Sequence, residues 1–241
     1  MFKLVISQSN LQGIIGAVSH LNPEAKLQIA EDSIKIEAVD PANVAMVFLQ
    51  ASSGAFEFFK ATPMDIALDL QRLSELTTGK DAVSLTLDEE THKLKIEVGR
   101  AKYTMSLIDP TAIKGAPRVP QLDLPAAVAM SGSDLRDAIA SAAKVSDHVV
   151  LEQHESQFII SAKGDIDAFS MPFELAELTG IRNGESRALF SLEYISVIAK
   201  AARGSDNVLI ETGIDYPATI TFNIGESINI RYLMAPRIEQ E

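Results

Sequence analysis

Two periodicities divide the chain. Strict alternation of apolar and polar positions, as in Ile34-Lys35-Ile36-Glu37 and Leu94-Lys95-Ile96-Glu97, marks strands with one buried face. By this pattern strands are expected at 27–30, 34–39 and 45–49, at 83–87, 94–98 and 103–108, at 149–153, 158–162 and 168–173, and at 208–212, 219–224 and 228–233. Helical spacing recurs between them, with apolar stripes at Leu11, Ile14, Ile15 and Val18, at Leu73 and Leu76, at Leu135, Ile139 and Ala142, and at Tyr194, Ile195 and Ile198. The opposite faces carry Gln12, Gly16 and Ser19, then Glu75 and Thr78, then Asp137, Ser141 and Lys144, then Glu193, Ser196, Lys200 and Arg203. Each helix therefore packs one face on a sheet and leaves a small, polar, sometimes basic face to water. Ser9 or Asn10 and Ser133 or Asp134 are the expected caps, since their side chains can accept the orphan amides of a first turn.

The pattern is also repeated. Residues 7–15 align without gaps on 131–139, and the register persists from Leu27 on Leu151 to Ala38 on Ala162. Residues 68–76 match 190–198 at nearly the same spacing. The chain thus reads as four βαβββ units making two similar domains of α+β class, 1–108 and 126–241. Between them, 109–125 contains four prolines and a glycine, which forbid regular helix or central strand and give an extended connector. Ile113, Val119, Leu122 and Leu124 make that connector apolar enough to lie on a surface.

Composition narrows the chemistry. Among 241 residues there is no cysteine, so disulfides, thiolate catalysis and cysteine metal sites are excluded, and a reducing cytosol fits. No apolar run approaches the ~18 residues of a membrane span, so no membrane partner is expected. A net charge of −12 argues against coating nucleic acid by bulk positive charge. His20, His92, His148 and His154 share no ligand spacing, so neither metal nor cofactor is expected. Gly79-Lys80 lacks the first glycine and the Ser or Thr of a phosphate loop and reads as a turn, and Asp88-Glu89-Glu90 reads as a solvated hairpin turn. Gly13-Ile14-Ile15-Gly16 lies inside a helical pattern and reads as a close-packed or sparsely covered helix surface. No nucleophile elbow or HExxH motif occurs, and with no Trp there is no evident platform for stacked bases. An enzyme is not expected.

The segment 33–48, with Val39-Asp40-Pro41-Ala42-Asn43-Val44 at its centre, together with Tyr216-Pro217 and the ending Tyr232-Leu233-Met234-Ala235-Pro236-Arg237-Ile238-Glu239, resembles the proliferating cell nuclear antigen family of sliding clamps, in its archaeal form. The resemblance covers the whole chain. It implies the DNA-clamp fold, a head-to-tail homotrimeric ring around duplex DNA with helices facing the hole, and a cytoplasmic, nucleoid-associated processivity factor of a prokaryotic cell. The partners it implies are the clamp loader replication factor C, DNA polymerase, flap endonuclease and DNA ligase.

Three residue sets follow from that resemblance. Lys144 and Lys200 would line the hole, with Arg203, Arg72 and Lys80 near helix ends, whereas Gln12, Gly13, Ser19, Glu75 and Glu193 stand where relatives often carry a cation. Ring closure would join 103–107 to 166–170, through Tyr103, Met105 and Leu107 against Ile166, Ala168 and Ser170. A pocket for a partner's PIP-box peptide would be walled by Val39, Asn43, Val44, Val119, Pro120, Leu122, Pro217, Leu233, Ala235, Pro236 and Ile238. Two rival readings are a peptide-binding adaptor that keeps the fold without encircling DNA, and a hydrolase using scattered carboxylates.

Overall fold

The computed structural model describes residues 1–115, 117, 122–154, 156–202, 204–205 and 207–238, with the backbone alone for Glu177. The chain divides into two compact units, Met1–Pro117 with Ile224–Ile230, and Arg118–Asn223 with Arg231–Glu241.

The first unit runs β1 (Phe2–Ile6), α1 (Gln8–Ser19), β2 (Glu24–Ile29), β3 (Ser33–Val39), β4 (Ala45–Ser52), β5 (Phe58–Ala61), β6 (Met64–Asp69), α2 (Leu70–Leu76), β7 (Val83–Asp88), β8 (Lys93–Val98) and β9 (Ala101–Ser106). One antiparallel sheet has the order β5-β1-β7-β8-β9, and β4-β3-β2-β6 form a second layer. Alternation decides which side chains enter the core. On β8, Leu94, Ile96 and Val98 are buried while Lys93, Lys95 and Glu97 face water. Phe2, Leu4 and Ile6 from β1 join them, and Leu11, Ile14, Ile15, Leu70 and Leu73 close the core from the two helices. Each such side chain fully removed from water contributes about 1.5–3 kcal/mol.

The second unit repeats the plan with β10 (Ala126–Met130), α3 (Gly132–Ala142), β11 (His148–His154), β12 (Gln157–Lys163), β13 (Ala168–Glu174), β14 (Thr179–Arg182), β15 (Ser186–Ser191), α4 (Leu192–Ala202), β16 (Val208–Thr212), β17 (Ala218–Ile224) and β18 (Ile228–Met234), the last hairpin giving its tip to the first unit. Its four-stranded sheet has the order β13-β12-β11-β15. Leu135, Ile139, Ile195 and Ile198 pack beneath Val149, Leu151, Phe158, Ile160 and Phe190, all at most 1% exposed.

All twelve strands expected from alternation are present, with ends displaced by at most three residues and 208–212 matched at both ends. The four-residue strands β5 and β14 were not expected, because Phe58-Phe59-Lys60-Ala61 and Thr179-Gly180-Ile181-Arg182 carry no clean alternation. The caps also differ from expectation. Ser7 and Ser131 cap α1 and α3, their hydroxyls accepting from Asn10 N (3.2 Å) and Asp134 N (3.1 Å), so both helices begin two residues earlier than Ser9 and Ser133 suggested. The handover is immediate: β1 ends at Ile6 and the next residue, still extended at φ −63° and ψ 150°, is the cap.

Candidate nucleic-acid, subunit and partner surfaces

The open helix faces are nearly neutral. Arg72, in the first turn of α2, is exposed and spends its charge on Glu75 at 2.7 Å, and Arg136 pairs with Asp137 at 2.6 Å. Lys80, Lys144 and Lys200 are exposed and make no ion pair among the described residues. Lys200 sits in the last turn of α4, where a cation favours the helix dipole. Lys144 corrects the helix-phase expectation: α3 ends at Ala142, and Lys144 lies in the following turn with its N–H bound to Ser141 O at 3.2 Å. Gly13 also leaves the open face, since a Cβ there would lie 2.7 Å from Ile224 Cδ1, whereas Gly16 faces empty space. Leu76 and Tyr194, assigned to buried stripes, are only half-buried. Arg203 lies outside the described residues.

The residues expected at the subunit contact fall at two open edges. β9 ends the five-stranded sheet and β13 ends the four-stranded sheet. Tyr103 is 40% exposed on β9 and Met105 is buried, while Ala168 and Ser170 are exposed on β13. Leu107 and Ile166 lie just outside these two strands. β9 stops at Ser106 because Ile108 is drawn aside, its N–H donating to Ala67 O at 2.8 Å. Ile166, 94% exposed, occupies the tight turn before β13 that Gly164 closes onto Asp167 O at 2.9 Å.

The expected pocket residues occupy three segments. In the first unit, Val39 is buried at the end of β3 on the same side as the exposed Lys35 and Glu37, so an outward register position is covered. Asn43 is exposed with φ 57°, and Val44 is half-buried. The loop that carries them is organised by Asp40, a residue overlooked from sequence although it lies within the diagnostic segment. Its carboxylate, 3% exposed, accepts from Ala42 N, Val44 N and Ala45 N at 2.7–2.8 Å. At the start of the connector, the Thr111 hydroxyl (2.7 Å) and N–H (2.8 Å) hold the Asp109 carboxyl below its ordinary range. Leu122 is half-buried, and Val119 and Pro120 lie outside the described residues.

In the second unit, Pro217, Leu233, Ala235 and Pro236 are half-buried and Ile238 is 72% exposed. Two segments are stitched to one edge of β15: Asp215 N–H donates to Arg187 O (3.0 Å) and Arg237 N–H to Leu189 O (2.7 Å). They bring the exposed Ile214 and Tyr216 to the same strand edge as Ile238, an apolar surface of the kind that awaits a partner. Ile214 was missed from sequence, where a lone isoleucine beside an aspartate reads as loop.

Among the described residues, no three of His, Cys, Asp and Glu converge to hold a metal ion, and no helix is long and apolar enough to cross a membrane.

Residues 1–106 match the family described as Proliferating cell nuclear antigen, N-terminal domain, and residues 118–237 its C-terminal domain. Proteins named "DNA polymerase sliding clamp" from Methanothrix thermoacetophila and Methanococcoides burtonii are 49% and 40% identical, each over 100% of both chains. The solved complex "C-terminal region of FEN-1 bound to A. fulgidus PCNA" superposes with TM-score 0.93 at 34% identity over 100% of both chains. PCNA from Thermococcus kodakaraensis shares the fold, with TM-score 0.88 at 20% identity, over 98% of this chain and 100% of that one. With duplicated units, open edge strands and full-length likeness in agreement, the chain belongs to the proliferating cell nuclear antigen family.

Proposed function

We propose that the chain is a DNA polymerase sliding clamp: a ring of three copies around duplex DNA, without catalysis of its own, that tethers replication and repair enzymes. The observation that carries this reading is an inequality within the duplicated fold. β4 has a neighbour in its own unit, the hairpin tip Ile224–Ile230, with Ser52 N–H bound to Ser227 O at 2.9 Å. Among the described residues its duplicate β13 has no such neighbour, and β9, the duplicate of β18, is also an open edge. A second copy's β9 laid on β13 repeats the pairing already present at β4. Because the two surfaces differ, the contact is heterologous, and a heterologous contact that closes makes a ring. Tyr103, Met105 and Leu107 would meet Ile166, Ala168 and Ser170 there.

Topology then replaces grip. A ring needs only a weak positive lining, which Lys80, Lys144, Lys200 and, by resemblance, Arg203 would supply, while Arg72 is largely neutralised. Partner peptides would be taken by the apolar surface at Ile214, Tyr216, Leu233, Ala235, Pro236 and Ile238, and the resemblance adds Val39, Asn43, Val44, Val119, Pro120, Leu122 and Pro217 to the residues that receive them. The relative solved with a FEN-1 segment supports a flap endonuclease as one partner. DNA polymerase, DNA ligase and the clamp loader replication factor C would be others. Tethering raises each enzyme's local concentration at the template.

The test is molar mass by light scattering over a concentration series at low and high salt. A mass near three times 26.0 kDa is expected, followed by loader- and ATP-dependent retention on circular DNA. The exposed Glu75, Asp137 and Glu193 on the open helix faces favour the rival reading of a non-encircling adaptor. A persistent 26.0 kDa monomer never retained on circular DNA would establish that reading instead.

A further inference from the structure

The outward face of the β5-β1-β7-β8-β9 sheet runs against the charge of the chain. The protein carries a net −12, yet the water-facing positions of these strands hold Lys60, Lys3, Lys93, Lys95 and Lys102 against two carboxylates, Asp88 and Glu97. Lys95 engages Asp88 at 2.8 Å and Lys102 engages Glu97 at 3.1 Å. Lys3, Lys60 and Lys93 have no carboxylate partner among the described residues. Strand register sets Lys3 directly opposite Lys60 and continues the row through Thr86 to Lys95. Like charges directly opposite one another weaken strand pairing. Beside them Phe58 is 46% exposed, with Lys3 Nζ 6.0 Å from its ring centroid.

The duplication supplies the comparison. At the position 124 residues on, Lys3 is replaced by Ala127, whose neighbours in register are Arg182 and Glu211 instead of Lys60 and Thr86. There Arg182 reaches Glu211 at 3.2 Å and the Leu124 carbonyl at 2.6 Å, and Glu211 accepts from the Thr219 hydroxyl at 2.9 Å. One copy of the row satisfies itself, while the other retains cations that the fold does not require.

We propose that this face of the first unit binds single-stranded nucleic acid. Lysines are point charges suited to phosphates without regard to sequence. At a strand spacing of about 4.8 Å, Lys60, Lys3 and Lys95 form a row about 14 Å long, across which a flexible backbone can lie. The exposed ring of Phe58 offers a stacking partner to an unpaired base. A duplex keeps its bases from that ring, and an acidic peptide has no use for it. The surface stands whether or not the chain encircles DNA.

The test is fluorescence anisotropy of the full-length protein at low salt, with an oligothymidylate of about fifteen nucleotides, a duplex of the same length, and polyglutamate. The oligothymidylate should bind more tightly than polyglutamate, with a log–log salt slope of about −2 for phosphate contacts at the three unpaired lysines, Lys3, Lys60 and Lys93. Lys3→Glu combined with Lys60→Glu should weaken it at least about tenfold, and Phe58→Ala about tenfold. Lys144→Ala combined with Lys200→Ala should weaken it less than Phe58→Ala does. Lys60→Glu alone, on the edge strand, serves if the double variant loses its native circular dichroism. Loss on the Lys144/Lys200 variant alone would move the strand elsewhere and overturn the proposal. Indifference to both Lys60 and Phe58 substitutions would overturn it too, as would polyglutamate binding equally well.

Discussion

The Asp40 carboxylate lies 2.7 Å from the Val44 amide nitrogen and holds the loop on which Asn43 and Val44 are presented. The same oxygen accepts from Ala45 N at 2.7 Å, and the other from Ala42 N at 2.8 Å. One buried side chain therefore replaces the ladder bonds that the chain gives up between β3 and β4. Asp40→Ala should cost about 3 kcal/mol in chemical denaturation, because several amides lose a charged acceptor at once. Asp40→Asn should cost about half that, since its amide group must face one of the N–H donors. Peptide affinity should fall with both. A loss below about 0.5 kcal/mol for Asp40→Ala would show that the loop is held by other contacts.

Alternation exposed the fold because most strands bury one face only: Leu94, Ile96 and Val98 against Lys93, Lys95 and Glu97 leave no second reading. The repeat was legible because equivalent core positions tolerate few substitutions of shape. What remained hidden depended on contacts distant in sequence. The end of β9 is set by Ile108 bonding to Ala67, and the Gly13 position by Ile224. The apolar surface at Ile214 and Ile238 needs β15 to bring together segments 24 residues apart in sequence. The resemblance named most candidate residues, but not Asp40, whose role lies in backbone bonds that no side-chain pattern displays.

Helix packing in the second unit depends on a missing side chain. A Cβ on Gly132 would lie 1.8 Å from the Ala202 carbonyl oxygen, and the Gly132 N–H donates to Ser205 O at 2.8 Å. Gly132→Ala must separate α3 from the end of α4 and should destabilise by about 2–4 kcal/mol. Gly16→Ala, in the interior of α1 with open space at its Cβ, should instead stabilise by about 0.5–1 kcal/mol. Thermal unfolding of the two variants should therefore move in opposite directions. Equal shifts would refute the packing argument.

Acid sensitivity should trace partly to one surface pair. The Lys95 ammonium, 2.8 Å away, together with the Thr91 and Glu90 amides, lowers the Asp88 carboxyl from 3.8 to about 2. A depressed folded-state value means that the pair supports the fold above about pH 4 and loses that contribution as pH falls toward 2. Lys95→Met should therefore lower the denaturation midpoint at pH 6, and the gap to wild type should shrink at pH 2.5. A gap independent of pH would assign the loss to packing of the lysine stem.

The ring contact should be sensitive to charge at its exposed apolar residues. Tyr103 is 40% exposed and Ile166 is 94% exposed, and both would be covered in the assembly. Tyr103→Glu with Ile166→Glu should weaken association at least about tenfold, each buried apolar side chain being worth about 1.5–3 kcal/mol. Light scattering should show monomer at concentrations where wild type is trimeric, with circular dichroism nearly unchanged because Ile166 lies in a turn and Tyr103 stands on the edge strand of its sheet. A double variant as trimeric as wild type would exclude this edge pairing.

The partner surface yields the most discriminating substitution. Ile214 and Ile238 are 63% and 72% exposed, while the backbone beside each is fixed to β15 at the Arg187 and Leu189 carbonyls. Removing those side chains leaves the stitching bonds in place. Ile214→Ser with Ile238→Ser should therefore change folding stability by less than about 0.5 kcal/mol. Affinity for a peptide carrying a glutamine and aromatic anchors should nonetheless fall at least about tenfold, since anchors of this kind dominate small interfaces. Ala235→Asp should abolish polymerase stimulation with the trimer mass preserved, because a carboxylate there would be desolvated by the bound peptide. Titration calorimetry decides the outcome. Undiminished peptide binding by both variants would remove the partner site from this edge of β15 while leaving the ring untouched.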